Sequence, residues 1–174
     1  MAAAVGGNKV FFAGGDSYWP RDSGPVVFSN VVDIYDISAN TWTRAQLSEP
    51  RADIAAATAG NKVLFAGGYR NSKVDIYDAS SNSWTTALLS QPRIVSSTAT
   101  LGNKVLFFTG DPNYNRMDIY DASANTWSTA ELNKSLYSIP IVAGNQVFIG
   151  GGEVHTIGTY ADRKLTSKVW KFRF

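Results

Sequence analysis

The chain has no cysteine, a single histidine and few charges for its length. Each shortage excludes a kind of chemistry. Without cysteine there is no disulfide framework, thiolate metal site or thiol nucleophile. With His155 alone, no multi-histidine metal centre can be assembled. Charged residues make up 17% of the 174 positions, against about 25% in an average domain. The net charge of +2 is too small to drive nucleic-acid binding. No apolar run approaches the ~20 residues that span a bilayer. No basic-then-apolar leader opens "MAAAVGGNKV". Gly-x-Ser-x-Gly elbows, phosphate loops and triad patterns are missing too. These absences predict a soluble, non-catalytic protein, or a soluble piece of one. They also predict no cofactor, no metal and no membrane or nucleic-acid partner, and they leave the compartment open.

What is present is apolar and repetitive. Hydrophobic residues make up 44% and aromatics 13%, enough to pack a single domain that buries roughly 70% of its unfolded surface. Four variants of one nonapeptide occur: "GNKVFFAGG" from Gly7, "GNKVLFAGG" from Gly60, "GNKVLFFTG" from Gly102 and "GNQVFIGGG" from Gly144. A second landmark, "DIYD", recurs at Asp33–Asp36, Asp75–Asp78 and Asp118–Asp121, followed at a fixed distance by Trp42, Trp84 and Trp127. Pro50–Arg51 and Pro92–Arg93 follow the first two tryptophans, where the third copy has Ser135 and Leu136. Landmarks in a fixed order define repeats, here spanning approximately residues 1–50, 51–92, 93–135 and 136–174 of one domain.

Each unit reads as four strands. Gly-Asn between apolar runs is a two-residue hairpin turn, because both residues tolerate positive φ. The strand before it is small-sided, as in "AAATA" and "SSTAT"; the strand after it, as in "KVLFA", is apolar on consecutive residues. Consecutive apolar residues imply a sheet covered on both faces. "KVDIYD" is a third strand, and the tryptophan opens a fourth. Such sheets stack as blades around an axis, with the small-residue strand innermost and the tryptophan strand outermost.

Gly67–Gly68, Tyr77, Trp84 and Arg93 together resemble the kelch repeat. So do Gly14–Gly15, Tyr35, Trp42 and Arg51, while the third unit keeps Gly110, Tyr120 and Trp127. The resemblance implies an all-β, kelch-type β-propeller of about four blades. It does not choose among the adaptors, oxidases and sugar-processing enzymes of that family. A copper oxidase of this kind needs histidines and a Cys–Tyr crosslink, which the composition lacks. Kelch propellers usually close with six or seven blades, so four repeats predict an incomplete ring, part of a larger propeller. Self-association through open blade edges is the second reading and a closed four-bladed ring the third. In the last unit, aligning "SKVWKF" (Ser167–Phe172) with "SKVDIY" makes it a third strand and leaves that blade without an outer one. Aligning Trp170 with the earlier tryptophans would instead make it outermost.

The copies also differ in an informative way. The Gly-Asn turn and the Asp-to-Trp turn keep their lengths and fall at one end of a blade. At the other end, the link between second and third strands has 17, six, seven and 17 residues in the four units. These links carry Tyr18, Trp19, Arg21, Tyr69, Arg70, Tyr114 and Arg116, residue types that anchor interfaces, on a surface where binding generally resides. They form the candidate partner-binding site, with a protein as the expected partner and a carbohydrate as the alternative. The Asp-x-Ser-x-Asn pattern (Asp78, Ser80, Asn82 and copies) lacks the glycine and glutamate of a calcium loop and reads as turn chemistry. Arg51 and Arg93 are expected to bond carbonyls or Asp between blades. Arg163, Lys164, Lys168, Lys171 and Arg173 read as a solvated face.

Overall fold

A computed structural model describes residues 1–17, 25–109, 111, 113, 116–132, 135–151, 153–155 and 164–173. Among them every regular element is a strand, and no helix is long and apolar enough to cross a membrane. The first sheet contains β1 (Ala2–Gly6), β2 (Lys9–Ala13), β5 (Val31–Asp36) and β6 (Thr41–Gln46), in that order. The short hairpin β3 (Asp16–Ser17) and β4 (Val27–Phe28) rises from its second-to-third link. The second sheet is β7 (Ala55–Ala59), β8 (Lys62–Ala66), β9 (Lys73–Asp78) and β10 (Ser83–Leu88). The third is β11 (Ser97–Leu101), β12 (Lys104–Phe108), β13 (Arg116–Asp121) and β14 (Thr126–Glu131).

The fourth sheet has three strands, β16 (Pro140–Ala143), β17 (Gln146–Gly150) and β20 (Val169–Arg173). Gln146 pairs with Arg173 as Lys62 pairs with Asp78 and Lys104 with Asp121. This common register makes the tail a third strand, as the "SKVWKF" alignment predicts. Pro140 sits at the first position of its strand, where a missing N–H is tolerated. A separate small sheet of β15 (Ser135–Tyr137), β18 (Glu153–His155) and β19 (Lys164–Leu165) is built from links whose sequence shows no strand pattern.

Small side chains let the inner strands of neighbouring sheets approach closely. Thr58 donates its hydroxyl to the Val5 carbonyl at 2.7 Å, and Thr100 donates to the Thr58 carbonyl at 3.0 Å. The sheets then diverge, and larger residues fill the widening gap. Phe11, Ala13, Val32 and Ile34 of the first sheet pack against Val63, Phe65 and Tyr77 of the second, with Trp84 at the margin. Leu64, Ala66, Val74 and Ile76 meet Val105, Phe107 and Tyr120 of the third, with Trp127 at the margin. Leu106, Phe108, Met117 and Ile119 meet Val147 and Ile149 of the fourth. Each buried Val, Leu, Ile, Phe or Met among them contributes about 1.5–3 kcal/mol by leaving water.

The two inner sheets bury both faces, as consecutive apolar residues predict: Val63 through Ala66 and Val105 through Phe108 are all buried. The outer two do not. β2 has the same apolar run, yet Val10 and Phe12 are only half-buried, because no sheet covers that side. In β17, Phe148 is half-buried for the same reason. The arrangement is propeller-like, and among the described residues no sheet joins the first to the fourth.

Candidate functional site

The two ends of the sheets differ in kind. At the constant end the chemistry is copied almost atom for atom. Asp36 accepts the backbone N–H groups of Ser38 and Ala39, both at 3.0 Å, and Asp121 does the same for Ser123 and Ala124. The Tyr35, Tyr77 and Tyr120 hydroxyls donate to Asn40, Asn82 and Asn125 at 2.6, 2.7 and 2.9 Å. Those asparagines sit at φ of 52–53°, the left-handed region that Asn tolerates. The Asp-x-Ser-x-Asn pattern is thus a turn device. Lys9–Asp36 and Lys62–Asp78 pair across the central strands at 2.5 and 2.6 Å, and Lys104 pairs likewise with Asp121. The Lys62 ammonium and the Ser80 N–H hold the Asp78 carboxyl down at about 2. Lys9 and Lys104, with backbone and serine donors, depress Asp36 and Asp121 further. Burial pushes the Tyr77 and Tyr120 phenols up.

At the variable end, an arginine joins successive sheets. The Arg51 carbonyl accepts from Gly15 N–H at 2.9 Å, tying its backbone to the first sheet. Its guanidinium reaches into the second, where Nη1 donates to the Gly67 and Lys73 carbonyls at 2.8 and 2.6 Å and Nη2 to Asp75. Asp75 also accepts from Ser48 N–H at 2.8 Å. Burial alone pulls the Arg51 guanidinium below its ordinary value, and Asp75 and Glu49 oppose this. Arg93 repeats the pattern one sheet on. Its carbonyl accepts from Gly68 N–H at 3.2 Å, and its Nη2 pairs with Asp118. Its Nη1 is buried with no acceptor among the described residues. Both guanidiniums therefore clamp the sheets through an aspartate, and that of Arg51 through two carbonyls as well.

On this floor stand the links. Tyr69, 61% exposed, and Arg70 form the tip of the second one, with the Arg70 guanidinium carbon 5.5 Å from the Tyr69 ring centroid. Arg70 adopts φ of 54°. The tip is fixed from below by Asn71, whose side chain donates to Glu49 at 2.5 Å and accepts from Lys73 N–H at 2.7 Å. Arg116 is the first residue of β13 rather than part of a link, 3.9 Å from Glu131. Tyr18, Trp19, Arg21 and Tyr114 lie outside the described residues.

A second surface went unnoticed in the sequence. Trp42, 61% exposed, lines an open groove of about 470 Å³ with Asp33, Thr43 and Arg44. Arg44 Nε donates to Asp33 at 2.8 Å. Trp42 looks like its copies in the sequence. Only the uncovered side of the first sheet sets it apart. Among the described residues no group of three or more His, Asp or Glu side chains is placed to hold a metal.

Sheet order and repeated junctions define a propeller-like all-β molecule. Among solved structures the chain is similar to one titled "Structure of YjhT", a β-propeller-type fold, with a TM-score of 0.64 at 14% identity over 87% of this chain. The chain spans 58% of that protein's length. No family model matches the sequence, and no curated protein matches it.

Proposed function

We propose that the chain is a kelch-type β-propeller array of about four repeats and acts as a non-catalytic binding scaffold for a protein partner. The contact would lie on the end carrying the divergent links. Support for the kelch reading comes from its landmarks: the glycine pair, tyrosine, tryptophan and arginine each hold a repeated structural place. One observation carries the functional reading. The turn end is duplicated down to its hydrogen bonds, whereas the opposite end is rigidly clamped beneath links that differ from sheet to sheet. One of those links presents an exposed Tyr69–Arg70 pair on a fixed base. Aromatic and arginine side chains held rigidly lose little entropy on docking and dominate interface energies.

The test is a protein pull-down run beside a glycan array, with the wild-type chain and a Trp19, Tyr69 and Tyr114 to alanine triple variant. Saturable capture of a protein, weakened at least tenfold in the variant, is expected. Glycan binding without protein capture would transfer the surface to carbohydrate. Unchanged affinity in a folded variant would remove these residues from the site.

A further inference from the structure

The second internal junction shows the plan most plainly. The face that looks forward along the chain offers aliphatic residues such as Leu64, Ala66, Val74 and Ile76, and the face that looks back offers an aromatic set such as Phe107, Tyr120 and Trp127. The first sheet carries a backward-looking aromatic face with no sheet of described residues against it: Phe12, Tyr35 and Trp42, with ring centroids 6.1 and 5.1 Å from Trp42, beside the Asp33–Arg44 pair. Trp84 makes the same two contacts within its sheet at 6.1 and 5.3 Å, and adds Phe11 of the preceding sheet at 6.4 Å. The fourth sheet carries the opposite half. By register, Ile141, Phe148, Val169 and Lys171 occupy the positions of Ala57, Leu64, Val74 and Ile76. Ile141 and Val169 are 67% and 64% exposed.

We propose that these two faces are halves of a fourth junction, made between two copies of this chain. The backward face of each copy receives the forward face of the other, and the pair closes one ring. Lys171 argues for a second copy. It replaces an isoleucine in an otherwise apolar face and stands 5.9 Å from the Phe148 ring centroid. Across the junction, the equivalent Ile76 packs in one cluster with Tyr120 and Trp127. Lys171 would therefore meet Tyr35 and Trp42, an aromatic pair suited to a cation. Two identical head-to-tail contacts related by a twofold axis are self-limiting, and eight sheets fall within the range of closed propellers. The inference rests on the propeller reading above but not on its binding surface.

Sedimentation velocity of the purified chain over a wide concentration range tests it. The expected result is a single species at twice 18.9 kDa. Trp42→Glu and Val169→Glu should each sediment as monomers, and mixing the two should restore a dimer, because one contact then remains wild type on both sides. A misfolded variant could not complement in this way. Tyr69→Ala should leave the dimer intact even where it abolishes partner binding. A wild-type chain that stays monomeric overturns the proposal. So do a ladder of higher masses, single variants that dimerise like wild type, or a mixture that stays monomeric.

Discussion

At the scale of single residues, the repeats show which side chains work as pairs. Where the arginine of the link is lost, at Leu136, the aspartate that would receive it is lost as well, at Trp170, which packs into the apolar third junction. Gln146 and Arg173 likewise replace a Lys–Asp pair together. A buried charge stripped of its partner is costly, whereas an apolar replacement of both is tolerated. Arg51→Leu is therefore expected to cost about 3–5 kcal/mol in urea unfolding, since it strands Asp75 and two carbonyls. Arg93→Leu should cost less, because among the described residues Nη1 of Arg93 has no acceptor to lose. Equal losses would mean that the carbonyl bonds of Arg51 contribute nothing. The Lys–Asp pairs act on pH dependence. Folding lowers the Asp78 carboxyl from 3.8 to about 2, so its contribution is complete above the unfolded value and is lost as pH falls toward 2. Asp78→Asn should flatten the stability profile between those limits. A profile with the wild-type slope there would assign the acid sensitivity to other carboxylates.

At the scale of elements, the glycine pair shows how a turn and a junction share one residue. Gly67 has φ of 71°, and a Cβ there would lie 2.6 Å from the Arg93 carbonyl oxygen. Gly102 has a similar φ of 57° but open space around it. Both Gly→Ala changes carry the left-handed backbone cost of about 1–3 kcal/mol. Only Gly67→Ala should add a further loss by pushing the arginine clamp apart, so the difference between their melting temperatures measures the clamp. The four-strand units and their turns were legible because copies average out accident, and Gly-Asn and Asp-x-Ser-x-Asn name their own geometry. The short strands β3, β4, β15, β18 and β19 were not. β3, β4, β18 and β19 lie in long links that have no copies, β15 lies where the Pro-Arg of the other copies is lost, and all pair over two or three residues, too few for an alternating pattern. Of the candidate site, the sequence marked the Tyr69–Arg70 tip but put Arg116 in a link, because nothing in "DPNYNRM" shows where pairing with β14 begins.

At the scale of the whole molecule, composition and repeats pointed to stacked antiparallel sheets in a propeller-like order, and the structure has that arrangement. What the pattern could not reveal was which copy of a repeated residue is uncovered. Trp42, Trp84 and Trp127 stand in like sequence surroundings, and their exposure is set by whether a neighbour exists, a property of position in the array. The same holds for the apolar run in β2, which reads as doubly covered and is not.

The arginine clamp has a consequence for how such a chain can change over generations. Arg51 and Arg93 each belong by backbone to the sheet before and by side chain to the sheet after. Deletion of residues 51–92 would leave Arg93 behind the first sheet, with a glycine N–H waiting for its carbonyl and Asp118 still under its guanidinium. Duplication would likewise insert a unit with both couplings intact. Unequal recombination between the copies therefore alters the number of sheets without needing a single compensating substitution, and array length is free to drift while the coupling chemistry stays fixed.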